Sequence, residues 1–148
     1  MTKTRIAVIH GPNLNMLGSR EPEVYGNATL DDINLMLSKE AEKIKVQLDF
    51  FQSNSEGSII DFVQNCAQTS QGIIINAGAY THTSVAIRDA LAAVAVPAVE
   101  VHISNVYSRE KFRHRSLIAP VCIGQVTGFG PFSYTAALLG LVDFINRK

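Results

Sequence analysis

The residues in this chain that could do chemistry fall into a loop pair, a strand-end pair and a set of amides and hydroxyls. The loop pair is Tyr25 and Arg20, five residues apart. An ordinary phenol loses its proton near pH 10, so at neutral pH about one in a thousand is phenolate. Acting as a base at pH 7 therefore requires about 4 kcal/mol of extra stabilisation of the anion. A guanidinium within about 4–6 Å supplies a good part of that. Arg20 is the first candidate and Arg113 the second. Packing the ring to anchor the loop is the commoner use of such a tyrosine, and spacing alone leaves both readings open.

The strand-end pair is Glu100 and His102, two residues apart and so on one face of a strand. A carboxylate bonded to one imidazole nitrogen fixes the tautomer and supports the protonated ring, the state a general acid needs. A structural histidine with a satisfied partner is the competing reading. Asn13, Asn76, His82 and Ser104 are hydrogen-bond partners for hydroxyls or a carboxylate, although Asn13 after Pro12 also suits a turn. The backbone N–H groups of Ile103 and Ser104 could hold a carboxylate, with Arg113 adding a charge-assisted contact. Arg109 and Arg115 are expected in solvent or at a subunit contact.

Other chemistries fit poorly. Gly128-Phe-Gly130-Pro131 lacks the Lys and Ser/Thr of a phosphate-binding P-loop and suits a turn before a helix. Ser84, His82 and Asp89 have no nucleophile elbow around them. The four histidines show no metal-ligand spacing and neither cysteine is near one, so no metal is expected. No lysine is placed to be a buried Schiff-base residue. No cofactor is expected.

These groups need a scaffold that gathers them. Strands are expected over 5–10, 46–51, 72–76, 98–102 and 121–126, alternating with helices over 29–44, 56–67, 83–94 and 131–146 and a short one around 109–113. Asp31 and Asp32 suit the first turn of the first helix, and Pro131 the start of the last. Cys66 falls in a helical pattern and Cys122 in a strand pattern, both read as buried thiols. Five strands alternating with helices predict an α/β fold, a flavodoxin-like doubly wound five-stranded parallel sheet of order 2-1-3-4-5, in a single domain over 1–148. Ligands bind such sheets beyond the carboxyl ends of the strands, where the order reverses. Strands one, three and four run into the polar clusters there. The long irregular segment 11–28, with Gly18 and Gly26 flanking Arg20 and Tyr25, is expected to be a lid.

Bulk properties narrow the class. Thirteen basic residues balance thirteen acidic ones, and 47% of the 148 residues are hydrophobic. That describes a globular protein with no electrostatic case for nucleic acid or an anionic membrane. The apolar run before His10 is too short for a signal-peptide core, and the run 90–99 is broken by Pro97 and too short for a bilayer. A cytoplasmic protein is the expectation.

Several blocks occur together and in order: His10-Gly-Pro-Asn-Leu-Asn15, Leu17-Gly-Ser-Arg-Glu-Pro-Glu-Val-Tyr-Gly26, Gln52-Ser-Asn-Ser-Glu-Gly57, Ile75-Asn-Ala-Gly-Ala-Tyr-Thr-His-Thr-Ser84 and Val99-Glu-Val-His-Ile-Ser-Asn105, continued by Arg109, Phe112, Arg113 and Ser116. In these the chain resembles the type II 3-dehydroquinate dehydratases of the shikimate pathway over nearly its whole length. The resemblance implies trans-dehydration of 3-dehydroquinate to 3-dehydroshikimate through an enolate, with no metal and no imine. It implies Tyr25 as the base at C2, with Arg20 promoting its ionisation. It implies Asn13 holding a water at the enolate oxygen, and His102, oriented by Glu100, protonating the departing C1 hydroxyl. Asn76, His82, Ile103, Ser104 and Arg113 would bind the substrate. The resemblance also implies trimers grouped into a homododecamer, with Asp89 near a neighbour's site. The alternative is a non-enzymatic flavodoxin-like ligand-binding or signalling module. A receiver domain would need acidic residues where Asn13 and Asn76 stand, and a flavin site a Ser/Thr-rich phosphate loop after strand one.

Overall fold

A computed structural model describes residues 3–19 and 21–147. Strands β1 (Thr4–His10), β2 (Val46–Gln52), β3 (Gly72–Asn76), β4 (Ala98–His102) and β5 (Gly124–Thr127) form one sheet of order β2-β1-β3-β4-β5. Every pairing is parallel. The helices are α1 (Pro22–Tyr25), a single turn, then α2 (Leu30–Lys43), α3 (Glu56–Thr69), α4 (Val85–Val94) and α5 (Phe132–Asn146), with 3-10 turns in the loops.

Side-chain alternation along the strands sorts the core into two layers. Ile6 and Val8 of β1, Ile74 of β3 and Val99 and Val101 of β4 face Leu37 of α2 and Leu138 and Leu141 of α5. Ala7, Ile9, Ile73 and Ile75 face Ile59 and Val63 of α3 and Ile87 and Leu91 of α4. All these residues are buried. Parallel strands covered on both faces read as the near-continuous apolar runs the sequence shows. The same parity decides the site. His10 and Asn76 continue the rows of Val8 and Ile74 towards α5, whereas Glu100 and His102 face the α4 side.

Local chemistry sets the helix ends. Thr29 accepts from Asp32 N–H while Asp32 accepts from Thr29 N–H, a capping box that contributes about 1 kcal/mol. Ser55 and Ser84 cap α3 and α4 through their side chains. The expected strand over 121–126 is shorter and later. Pro120 lies in a 3-10 turn at Ala119–Val121, so pairing starts only at Gly124 and Cys122 lies ahead of the strand. The expected helix around 109–113 is instead two 3-10 turns, Val106–Ser108 and Lys111–Arg113. The start of the third helix moves from 83 to Val85, because Gly78–His82 forms its own 3-10 turn.

Two glycines bring the loops after β1 and β3 together. A Cβ on Gly11 would sit 2.6 Å from the Ala77 carbonyl, where Gly11 N–H donates to Asn76 O at 2.7 Å. Gly78 has φ +58°, and its Cβ would press the Pro12 carbonyl at 3.1 Å.

Candidate active site

A pocket lies beyond the carboxyl ends of β1, β3 and β4. Its empty space, with the open mouth counted in, is about 540 Å³. Asn13, Tyr25, Asn76, His82, His102, Ile103, Ser104 and Arg113 all line it. Residues separated by most of the chain thus converge as the strand ends predict. Among the described residues that line it none is acidic, while Arg109 and Arg113 both line it, so the pocket favours an anion.

His102 lines the pocket with Glu100 behind it. His102 Nε2 stands 2.5 Å from Glu100 Oε2. Glu100 is fully buried and also accepts from Gln125 Nε2 at 3.0 Å and Ser116 Oγ at 2.8 Å. Burial opposes its ionisation, but His102, Gln125 and Ser116 together outweigh that and hold the carboxyl below its usual range. Gln125 is itself oriented by the Tyr107 hydroxyl at 3.2 Å. A carboxylate at Nε2 makes that nitrogen the N–H, leaving Nδ1 of His102 for the pocket.

His82 stacks against His102 with ring centroids 6.4 Å apart. Its Nδ1 donates to the Arg115 carbonyl at 2.8 Å, so Nε2 of the neutral ring is an acceptor. Burial holds the His82 ring below the usual imidazole range, with the neighbouring His102 and Arg113 adding to the effect against the Arg115 carbonyl. The carbonyls of Ile103 and Ser104 are occupied by Gly130 N–H at 3.0 Å and the Thr127 hydroxyl at 2.8 Å, which fixes the strand-four exit. Arg113 is held by Glu110 at 2.8 Å and lies over the Phe112 ring at 5.0 Å.

Tyr25 reaches the pocket from the turn of α1. Glu21 starts that turn at φ +41°, an uncommon conformation for a residue with a side chain, and its carbonyl accepts from both Val24 and Tyr25. Asn13 is likewise left-handed at φ +70°, and Asn54 Oδ1 accepts its backbone N–H at 3.0 Å. Asn tolerates that region better than most residues.

Arg109 overturns an expectation. Rather than facing solvent, its side chain is 13% exposed, donates from Nη1 to the Tyr25 hydroxyl at 2.8 Å and lies 5.2 Å from that ring's centroid. It also reaches Ser104 Oγ at 3.4 Å. A residue in a 3-10 loop carries no periodic signal, and only the loop's course past Ser104 brings it here. Arg20, expected in this role, lies outside the described residues. Asp89 is exposed on α4, paired with Arg88 at 3.0 Å, and does not line the pocket. Among the described residues no cluster of His, Cys, Asp and Glu has metal-binding geometry, and no helix is long and apolar enough to cross a membrane.

Residues 4–142 match the family model described as Dehydroquinase class II. A protein of Gloeothece citriformis named 3-dehydroquinate dehydratase is 58% identical over 99% of this chain and 97% of its own length. The crystal structure of a type II dehydroquinase from Butyrivibrio crossotus superposes with a TM-score of 0.91 at 46% identity, covering 98% of this chain and 99% of that one. That of a type II dehydroquinase from Propionibacterium acnes gives 0.89 at 33% identity, covering 99% and 100%.

Proposed function

This chain belongs to the class II dehydroquinases, enzymes of the lyase class in the shikimate pathway, and we propose that it dehydrates 3-dehydroquinate in two proton-transfer steps. The observation that carries this reading is the pocket itself: a tyrosine facing a guanidinium on one side, and a histidine backed by a buried carboxylate on the other. Tyr25, as phenolate, takes the C2 proton, and the electron pair passes to the C3 carbonyl as an enolate. Collapse of the enolate forms the C1–C2 double bond and expels the C1 hydroxyl, which takes a proton from His102 and leaves as water. Glu100 carries the charge that steadies the imidazolium before transfer.

The chain's other groups bind and orient. Arg109 donates to the Tyr25 oxygen, where negative charge resides before proton abstraction, and Arg20 assists from the same loop. Asn13 holds the water that stabilises the enolate oxygen. Ile103 and Ser104 offer N–H groups to the substrate carboxylate, with Arg113 beside them. His82 accepts from a substrate hydroxyl through Nε2, and Asn76 donates to one. The loop 11–28 closes over the bound molecule as a lid.

The protein is proposed to assemble as a homododecamer of trimers in the cytoplasm. The exposure of Asp89 outside its own pocket supports a place for it beside a neighbour's site. Sedimentation velocity tests the assembly, and an activity loss in Asp89→Ala that depends on assembly tests the residue's part.

The reaction is followed by the rise in ultraviolet absorbance of the conjugated enone. Tyr25→Phe and His102→Ala are each expected to lose about two decades or more in kcat with unchanged folding, because acid–base groups contribute about 10²–10⁴-fold. A near-normal rate in either variant removes that residue from its role. No enone signal from folded wild-type protein refutes the activity.

A further inference from the structure

Behind Asn76, on the face of the sheet away from His102, runs a buried polar chain that the reaction does not use directly. Asn76 Oδ1 lies 3.1 Å from Gly78 N, and Asn76 Nδ2 lies 3.1 Å from the Tyr134 hydroxyl. That hydroxyl lies 3.1 Å from His10 Nδ1, and His10 Nε2 lies 2.8 Å from Asn34 Oδ1. The four residues come from β3, α5, β1 and α2. Asn76, Tyr134 and His10 are 3%, 0% and 1% exposed, in a setting where an unpaired polar group is costly.

One backbone amide orders the whole chain. Gly78 N–H can only donate, so the amide atom it meets is the oxygen of Asn76. Nδ2 is then the atom facing Tyr134, and the hydroxyl accepts from it. The hydroxyl's own proton goes to His10 Nδ1, which makes Nδ1 an acceptor and Nε2 the N–H. Asn34 Oδ1 accepts that N–H. Each group is satisfied in this sense only, and Asn76 is left with one amide proton that has no partner among the described residues while the residue lines the pocket.

We propose that Tyr134, oriented by neutral His10, is a positioning residue for substrate binding: it fixes the Asn76 amide so that a single N–H donor faces the pocket and selects a substrate oxygen that accepts. The inference rests on the reading of Asn76 as a substrate-binding residue. Without the Tyr134 hydroxyl the amide keeps only the Gly78 N–H on its oxygen, and its nitrogen, now without a partner behind it, can swing about that bond and carry its N–H out of line with a substrate oxygen. Burial holds His10 well below the usual imidazole range, at about 4 against the lift from Asn34, so the ring stays a neutral acceptor at neutral pH. Tyr134 is the one titratable side chain bonded to His10 among the described residues, and Phe50 stacks on the ring at 6.3 Å.

The test compares Asn76→Ala, Tyr134→Phe and the double variant in the enone assay with 3-dehydroquinate, alongside thermal unfolding. Tyr134→Phe and Asn76→Ala are each expected to raise KM about tenfold, the scale of one net hydrogen bond, with kcat within about threefold. The double variant is expected to be no worse than Asn76→Ala, since Tyr134 acts through Asn76. A purely structural Tyr134 would lower the melting temperature and leave KM alone. That result, together with a raised KM in Asn76→Ala, refutes the relay while the binding role of Asn76 stands. An unchanged KM in Asn76→Ala removes the binding role, and the relay with it. Neutron crystallography of the wild-type protein decides the matter even if Tyr134→Phe fails to fold: a proton on His10 Nε2 and none on Nδ1 is expected, and the reverse tautomer overturns the proposal.

Discussion

Replacing Glu100 with Gln keeps the shape of the acid pair and removes its charge. The amide can keep its oxygen towards His102 Nε2 and Gln125 and turn its nitrogen to Ser116 Oγ. That oxygen already accepts from Ala119 N–H at 3.0 Å and has room for a second donor. Packing therefore changes little, and the melting temperature is expected to move by only a few degrees. What is lost is the attraction between carboxylate and imidazolium. With nitrogen and oxygen 2.5 Å apart, the charge centres are about 4 Å apart, and an effective dielectric of about 20 gives about 4 kcal/mol. The retained neutral hydrogen bond offsets part of this, leaving about 2–4 kcal/mol against the protonated ring. Each 1.36 kcal/mol is about tenfold in rate, so kcat is expected to fall about 30- to 1,000-fold with KM within about threefold. The assay is enone absorbance under saturating substrate. A kcat within threefold of wild type refutes the counter-charge role, and a loss confined to KM places Glu100 in binding instead.

Four further expectations follow from the same geometry. His10, neutral in the fold and titrating at about 4 rather than 6.5, adds stability that is complete above pH 6.5 and lost as pH falls from 6.5 towards 4. At 1.36 kcal/mol per pH unit the loss is about 3 kcal/mol, so urea midpoints of wild type should fall across that window more than those of His10→Gln. Glu100, held below its usual range, adds stability that is present above about pH 4.5 and lost as pH falls through its folded value. Glu100→Gln should lack that steeper acid limb. Arg109→Ala withdraws the guanidinium from the Tyr25 oxygen and should cost about tenfold or more in kcat, with part retained in Arg109→Lys; full activity in Arg109→Ala refutes its role. Gly11→Ala drives a Cβ into the Ala77 carbonyl at 2.6 Å and should cost about 3 kcal/mol in urea unfolding.

The legible parts of this molecule are those written in short-range pattern. The runs Arg5–His10 and Gly72–Asn76 are apolar and end in polar residues, so the strands, their order and the side on which the pocket opens could all be read. Tyr25, His102 and Asn76 could be placed at the pocket because strand ends and a long loop point there. Arg109 was missed because its place depends on two 3-10 turns, whose residues obey no period. Tyr134 was missed for the opposite reason: within an apolar helix it reads as core, and nothing nearby announces that its hydroxyl meets β1 and β3. β5 starts later than the apolar run 121–126 suggests, because that pattern does not show the arrest imposed by Pro120.

The parity of the strands roots the two sides of the pocket in different layers, Asn76 in that of α2 and α5 and His102 in that of α4. This bears on how the enzyme comes into being. Parallel strands meet only after the chain between them has crossed a face, and such distant contacts form late in folding. The support for Asn76 comes from α5 and a bond that steadies Glu100 from Gln125 on β5, the last helix and strand among the described residues. During synthesis the pocket is therefore incomplete until β5 and α5 have emerged and docked. A molecule bound there holds the whole winding together, stabilising it by RT ln(1 + [L]/Kd). Catalytic activity thus reports that β5 and α5 have docked on the strands before them.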